Sequence, residues 1–235
     1  MTASLPTQFE DFRQHVLDPA NEDQLLGYLT TYSAGGAYTG AYFHELTHAG
    51  PSHPDQFDIS DIASLSLLSV TLNGQMAKQL TTKNEESDQL ARVLAREPDR
   101  NLGELTTEQV EKLNSSEGLD PAWNLISKIH GVGPTRTAKL LARKRPRLIP
   151  IWDSVIARVL GLPKTTSYWI HFHMALTADG SRLDDKLSEL AQKAGVGERY
   201  SRIRVLDILA WMYGKDKKNY QSTVLTELDA EPDEE

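Results

Sequence analysis

The segment 131–134, which reads Gly-Val-Gly-Pro, constrains this chain more than any other. Apolar residues recur at helical spacing on both sides, so the segment is predicted to be a tight turn between two helices. Glycine lets the backbone adopt positive φ and approach a ligand closely. Free amides at the start of the second helix, together with its dipole, can hold a phosphate oxygen. The turn therefore predicts an anion-binding hairpin on a helical scaffold.

The second helix of this hairpin is strongly basic, although the whole chain has a net charge of −8. Six basic residues and no acidic one lie within 134–147, whereas 227–235 has six acidic residues and no basic one. Arg136, Lys139 and Arg143 recur at i, i+3 and i+7, which predicts one basic helix face. We expect this face to bind DNA phosphates, with a solvated helix face as the alternative. The predicted DNA contacts are Gly131, Val132, Gly133, Thr135, Arg136, Lys139 and Arg143.

The rest of the chain also reads as helices, which predicts an all-α fold. We expect one helical unit over 1–214, with an N-terminal half at 1–118 and a hairpin-containing half at 119–214. The acidic tail at 215–235 is predicted to be disordered. The chain has no cysteine, which excludes disulfides, thiolate metal sites and cysteine nucleophiles. No membrane span or signal peptide is visible, so we expect a cytoplasmic protein without a membrane partner.

An aspartate follows the hairpin in the sequence and is a candidate for a catalytic residue. Asp153 lies twenty residues after Gly133, at a predicted helix N-cap, and Arg158 follows five residues later. The stretch 123–160 resembles the helix-hairpin-helix and Gly/Pro-rich-loop-Asp signature of the DNA glycosylase superfamily, which includes endonuclease III and adenine glycosylase. The resemblance implies a glycosylase-like helical fold, duplex DNA as partner and no cofactor. It also implies a catalytic Asp153 that stabilises the cationic sugar or activates a water, whereas a plain N-cap is the alternative.

The chain departs from this superfamily at several positions. Thr135 stands where bifunctional members carry the lysine that attacks the sugar, so the resemblance implies a monofunctional N-glycosylase. His130 replaces the usual proline, Trp152 replaces the usual valine, and the cysteine cluster of some members is absent. A glycosylase-like protein that binds DNA without catalysis therefore remains open.

The whole chain also resembles a bacterial family of proteins without an established activity. The shared elements are a Tyr-Thr-Gly-x-x-Phe motif at 38–43, a helical stretch at 58–70, and a basic, proline-containing stretch at 140–150. This resemblance concerns the fold and implies nothing about chemistry.

A competing motif lies at 44–48, which reads His-Glu-Leu-Thr-His. This is the H-E-x-x-H pattern of zinc-dependent hydrolases. On a helix, His44 and His48 would share a face and hold zinc, while Glu45 would polarise a water. No glutamate occurs between Glu45 and Glu85 to act as the third ligand. The main hypothesis therefore includes no metal, and the zinc hydrolase is the alternative.

Overall fold

The chain is all-helical in a computed structural model that describes residues 4–46, 53–162 and 168–216. No strand occurs within these ranges, which confirms the all-α prediction. Most of the predicted acidic tail, residues 217–235, lies outside the described residues. The helices are α1 (Thr7–Leu17), α2 (Glu22–Ser33), α3 (Ile59–Ser64), α4 (Gly74–Thr81), α5 (Glu85–Arg96), α6 (Thr107–Leu113), α7 (Asp120–Ser127), α8 (Pro134–Lys144), α9 (Ser154–Leu160), α10 (Trp169–Lys193) and α11 (Arg202–Lys215). Short 3₁₀ turns lie at Pro19–Asn21, Thr39–Tyr42, Leu65–Leu68 and Leu102–Glu104.

Helix boundaries follow local side-chain chemistry. Capping boxes start α3 at Asp58, α5 at Asn84 and α6 at Thr106, where each side chain accepts a backbone N–H of the first turn. The long helix α10 is interrupted at 178–181, where four consecutive residues leave the helical region of backbone space. Among the described residues, no helix has the length and apolarity needed to cross a membrane.

Helix α11 lies at the centre of the hydrophobic core. All of its residues from 203 to 210 are buried, and it packs against α2, α9 and α10. A helix that is buried all round is normally apolar throughout. Here Arg204 and Asp207 interrupt the apolar sequence, and both are almost completely buried. Burying these charged side chains costs free energy unless other groups pair with them. We therefore expect a functional site in this part of the core.

Candidate functional site

The predicted hairpin is formed by α7 and α8, which pack against each other on either side of a tight turn. Gly131 has a φ of +82°, and Val132 inserts into the core with only 4% of its surface exposed. Gly133 is the N-cap of α8 and has no side chain that could cap the helix. The amides of Gly133, Thr135 and Arg136 donate to no residue in the described part of the chain. The hairpin therefore presents several free backbone donors at the start of a helix.

The two glycines of the turn are expected to respond differently to alanine. A Cβ on Gly131 would lie 2.2 Å from Cε of Met76, and its positive φ disfavours any side chain. Left-handed backbone alone costs about 1–2 kcal/mol in a residue with a Cβ. We expect Gly131→Ala to lower the free energy of unfolding by about 2 kcal/mol, measured by urea denaturation.

Gly133→Ala is the matched control for this prediction. Gly133 has an extended backbone, and a Cβ built there meets nothing within 4 Å. Its substitution should cost less than about 1 kcal/mol, the difference between glycine and alanine at an N-cap. Equal losses of stability in the two variants would contradict the role of the left-handed turn.

The basic residues of α8 lie on one side of the helix, but this side faces the protein. Lys139 is 4% exposed, and its Nζ donates to the carbonyl oxygen of Leu68 at 3.1 Å. The Arg143 side chain is 7% exposed, and its Nε pairs with Asp61 at 3.0 Å. Arg136 is partly exposed and donates to two backbone carbonyls. This corrects the expectation of a solvent-facing basic surface, because Lys139 and Arg143 already bond to oxygen atoms of the protein.

Asp153 lies at the edge of a cavity of about 350 Å³, which is lined by residues of α8, α9 and α11 and by the 3₁₀ turn at Thr39–Tyr42. Its Oδ1 accepts the amides of Val155 and Ile156, each at 3.0 Å, so the side chain is the N-cap of α9. Its Oδ2 makes no hydrogen bond to a residue that the structure describes. The capping role therefore occupies one carboxylate oxygen and leaves the other available at the cavity.

Three aromatic side chains form one wall of this cavity. The rings of Tyr32 and Tyr38 stack with centroids 5.7 Å apart and an interplanar angle of 19°. Trp211 meets both rings edge-on, with centroids at 6.1 Å and 5.8 Å. Tyr38 belongs to the Tyr-Thr-Gly-x-x-Phe motif, so this motif contributes directly to the cavity. Such a wall provides a rigid apolar surface for a planar ligand.

Two buried charged side chains of α11 line the same cavity. Arg204 donates to the Tyr32 hydroxyl at 2.7 Å, whereas its Nε has no hydrogen-bond partner among the described residues. Asp207 accepts the amide of Ile151 on Oδ2 at 2.8 Å, and its buried Oδ1 is likewise without a described partner. Burial raises the pKa of Asp207 well above the usual range; the charge of Asp153 adds to this effect and Arg204 opposes it. Burial therefore favours the neutral form of the Asp207 carboxyl group.

Lys139 is a further charged residue that lines the cavity. Burial lowers its pKa, while the charge of Asp153 acts in the opposite direction. Lys139 therefore belongs to the cavity that contains Asp153, instead of to an outer DNA-binding face. A carboxylate that lines a cavity together with aromatic rings can stabilise a developing positive charge or orient a water molecule.

The structure places the H-E-x-x-H motif differently from the helix expected for a zinc site. His44 and Glu45 lie in a turn after the 3₁₀ segment Thr39–Tyr42, and His48 lies outside the described residues. Glu45 forms an ion pair with Arg199. The described residues contain no group of three His, Asp or Glu side chains that could hold a metal ion. Within the described residues no such zinc site is found, and the part of the zinc prediction that involves His48 lies outside them.

His44 also lines a second, larger cleft of about 520 Å³. The three arginines of this cleft are already paired: Arg147 with Asp99, Arg199 with Glu45, and Arg202 with Asp184. Because its charges are compensated within the protein, this cleft offers less for a ligand than the cavity at Asp153.

Sequence reasoning identified Asp153 and Thr135 but missed Tyr32, Arg204, Asp207 and Trp211. All four lie on helices to which the sequence assigned no function. The available signal was the pair of charged residues within the apolar run 203–210, since a charge inside a buried helix requires a partner or a function.

This chain is thus an all-α protein whose helical hairpin adjoins an aromatic cavity that contains two carboxyl groups. Residues 22–214 match the model of a family of unknown function, DUF6308, and the chain belongs to that family. No curated protein and no solved structure matches it.

Proposed function

We propose that this protein is a DNA N-glycosylase of the helix-hairpin-helix type, which binds duplex DNA and releases a base in the cavity beside Asp153. One observation carries the proposal: the first turn of α8 and the Asp153 carboxylate line the same cavity, through Thr135 and Asp153. A phosphate held at the start of α8 would therefore bring a nucleotide of the same strand to the carboxylate. The glycosylase-like fold is part of this proposal and draws on the resemblance of residues 123–160.

Duplex binding relies on backbone donors in this proposal. The amides of Gly133, Thr135 and Arg136 are free to donate to phosphate oxygens, and the helix dipole of α8 favours the negative charge. Lys128 and His130 are exposed beside them. Such contacts position a duplex without reading its sequence. The base itself is selected in the cavity, after rotation out of the helical stack.

The chemistry follows from the charge of Asp153. When the bond between C1′ and the base breaks, the electron pair leaves with the base and the sugar becomes positively charged. The Asp153 carboxylate stabilises this charge, and a water molecule then adds to C1′. The proton that this water loses ends on the departed base, which gives the neutral free base. Thr135 has no amine, so the products are a free base and an abasic site in an intact strand.

The test is a screen for base release by the full-length protein. Duplexes of one sequence would each carry a single deaminated, oxidised, alkylated or mispaired base. We expect a free base from at least one duplex, and strand breakage only after hot alkali. Duplex binding without any base release would contradict the glycosylase step. Strand cleavage without alkali, with a borohydride-trapped adduct lost in Lys139→Met, would contradict the monofunctional reaction and assign a nucleophilic amine to Lys139.

A further inference from the structure

Two residues that line the cavity each have a buried polar atom without a hydrogen-bond partner among the described residues. These are Nε of Arg204 and Oδ1 of Asp207. The two residues are three apart on α11, so they lie on the same face of the helix, and both line the cavity. They are 4% and 1% exposed. Buried polar atoms are nearly always hydrogen-bonded in folded proteins, so two neighbouring exceptions in one cavity point to a ligand.

Both atoms act as hydrogen-bond donors toward such a ligand. The guanidinium of Arg204 has only donors. Asp207 already accepts the Ile151 amide on Oδ2, which leaves Oδ1 for the acidic proton of the neutral carboxyl group. Burial raises the pKa of Asp207, which favours its neutral, proton-donating form; Arg204 opposes this effect and the charge of Asp153 adds to it. Each of the two side chains then offers one donor to a ligand.

We propose that Arg204 and Asp207 determine specificity, and that they select a base with two neighbouring acceptors, as on the O6/N7 edge of an oxopurine. This edge differs from that of adenine, where a donor amino group replaces O6. The base would stack on the wall formed by Tyr32, Tyr38 and Trp211, and the two donors would bond to the acceptors on the edge of the base. The inference rests on the proposed function, since it assigns the base that the cavity accepts.

The test uses free nucleosides, which bind without the cost of opening a duplex. Binding is followed by NMR through the indole N–H of Trp211, which is assigned by its loss in Trp211→Phe. We expect inosine to bind at least tenfold more tightly than adenosine, which differs at the O6 position. Guanosine should likewise bind at least tenfold more tightly than 7-methylguanosine, which is cationic and has lost the N7 acceptor. Asp207→Asn should keep inosine affinity within about threefold, because an amide also accepts the Ile151 N–H and donates an N–H.

Three outcomes would overturn the inference, and they are distinguishable. Tighter binding of 7-methylguanosine that is lost in Asp207→Asn would show that Asp207 is an ionised acceptor, and the glycosylase proposal would survive. No shift of the Trp211 signal with any nucleoside would reject both the inference and the base-binding cavity. Equal affinity for inosine and adenosine would reject the edge-reading role of Arg204 and Asp207 alone.

Discussion

Asp153→Asn is expected to lower the single-turnover rate of base release about 100- to 1,000-fold, because the carboxylate charge that stabilises the cationic sugar is lost. The same variant should fold normally. Asparagine is as good an N-cap as aspartate, and the amide oxygen can still accept the Val155 and Ile156 amides. Duplex affinity should also stay within about twofold, since the hairpin amides are unchanged. The measurements are base release with excess protein, duplex binding by fluorescence anisotropy, and thermal unfolding.

Asp153→Ala separates the two functions of this side chain. It removes the charge and also the cap of α9, so it should lose activity as Asp153→Asn does and also lose about 1 kcal/mol of stability. If Asp153→Asn kept nearly full activity while Asp153→Ala lost stability, Asp153 would be a capping residue only. The alternative that the sequence left open would then be the complete account.

Arg145→Ala is expected to cause the largest loss of stability, about 3–5 kcal/mol in the free energy of unfolding. The Arg145 side chain is 2% exposed and donates to the carboxylate of Asp55 and to the carbonyl oxygens of Pro54, Leu94 and Glu97. The substitution would leave these acceptors without their donor and create a cavity in the core. Urea denaturation of the full chain measures the effect.

Arg147→Ala is the matched control, two residues along the chain. The Arg147 side chain is 51% exposed and pairs with Asp99 at the surface. Exposed ion pairs contribute little, so we expect a loss of less than about 1 kcal/mol. Similar losses in both variants would contradict the structural role assigned to the buried guanidinium.

The sequence predicted the helices well where the local signals are strong. The aspartate before an apolar run predicted the N-cap of α9. At the starts of α6 and α3, Thr106 and Asp58 are the residues that cap the helix, although Thr107 and Ser60 lie close by. Several Ser, Thr and Asp residues adjoin each of these helix starts, and the backbone geometry that decides among them is not visible in the sequence.

The site was only half predictable, for a physical reason. Gly131 and Asp153 depend on local sequence, and their hairpin and cap follow from neighbouring residues. The orientation of Lys139 and Arg143 depends on which distant segment covers α8, and that segment contains Asp61 and Leu68. Spacing on a helix shows that residues share a face, but it does not show whether that face meets water or the protein.

The most direct test of the central claim is the affinity of the protein for a duplex that mimics the cationic sugar. In this duplex a pyrrolidine ring, which carries a positive charge, replaces the sugar of the target nucleotide; an uncharged tetrahydrofuran serves as the reference. If Asp153 stabilises a cationic sugar, the wild-type protein binds the pyrrolidine duplex at least about 100-fold more tightly than the reference, and Asp153→Asn loses most of this preference. Equal affinity of the wild-type protein for both duplexes would contradict the claim.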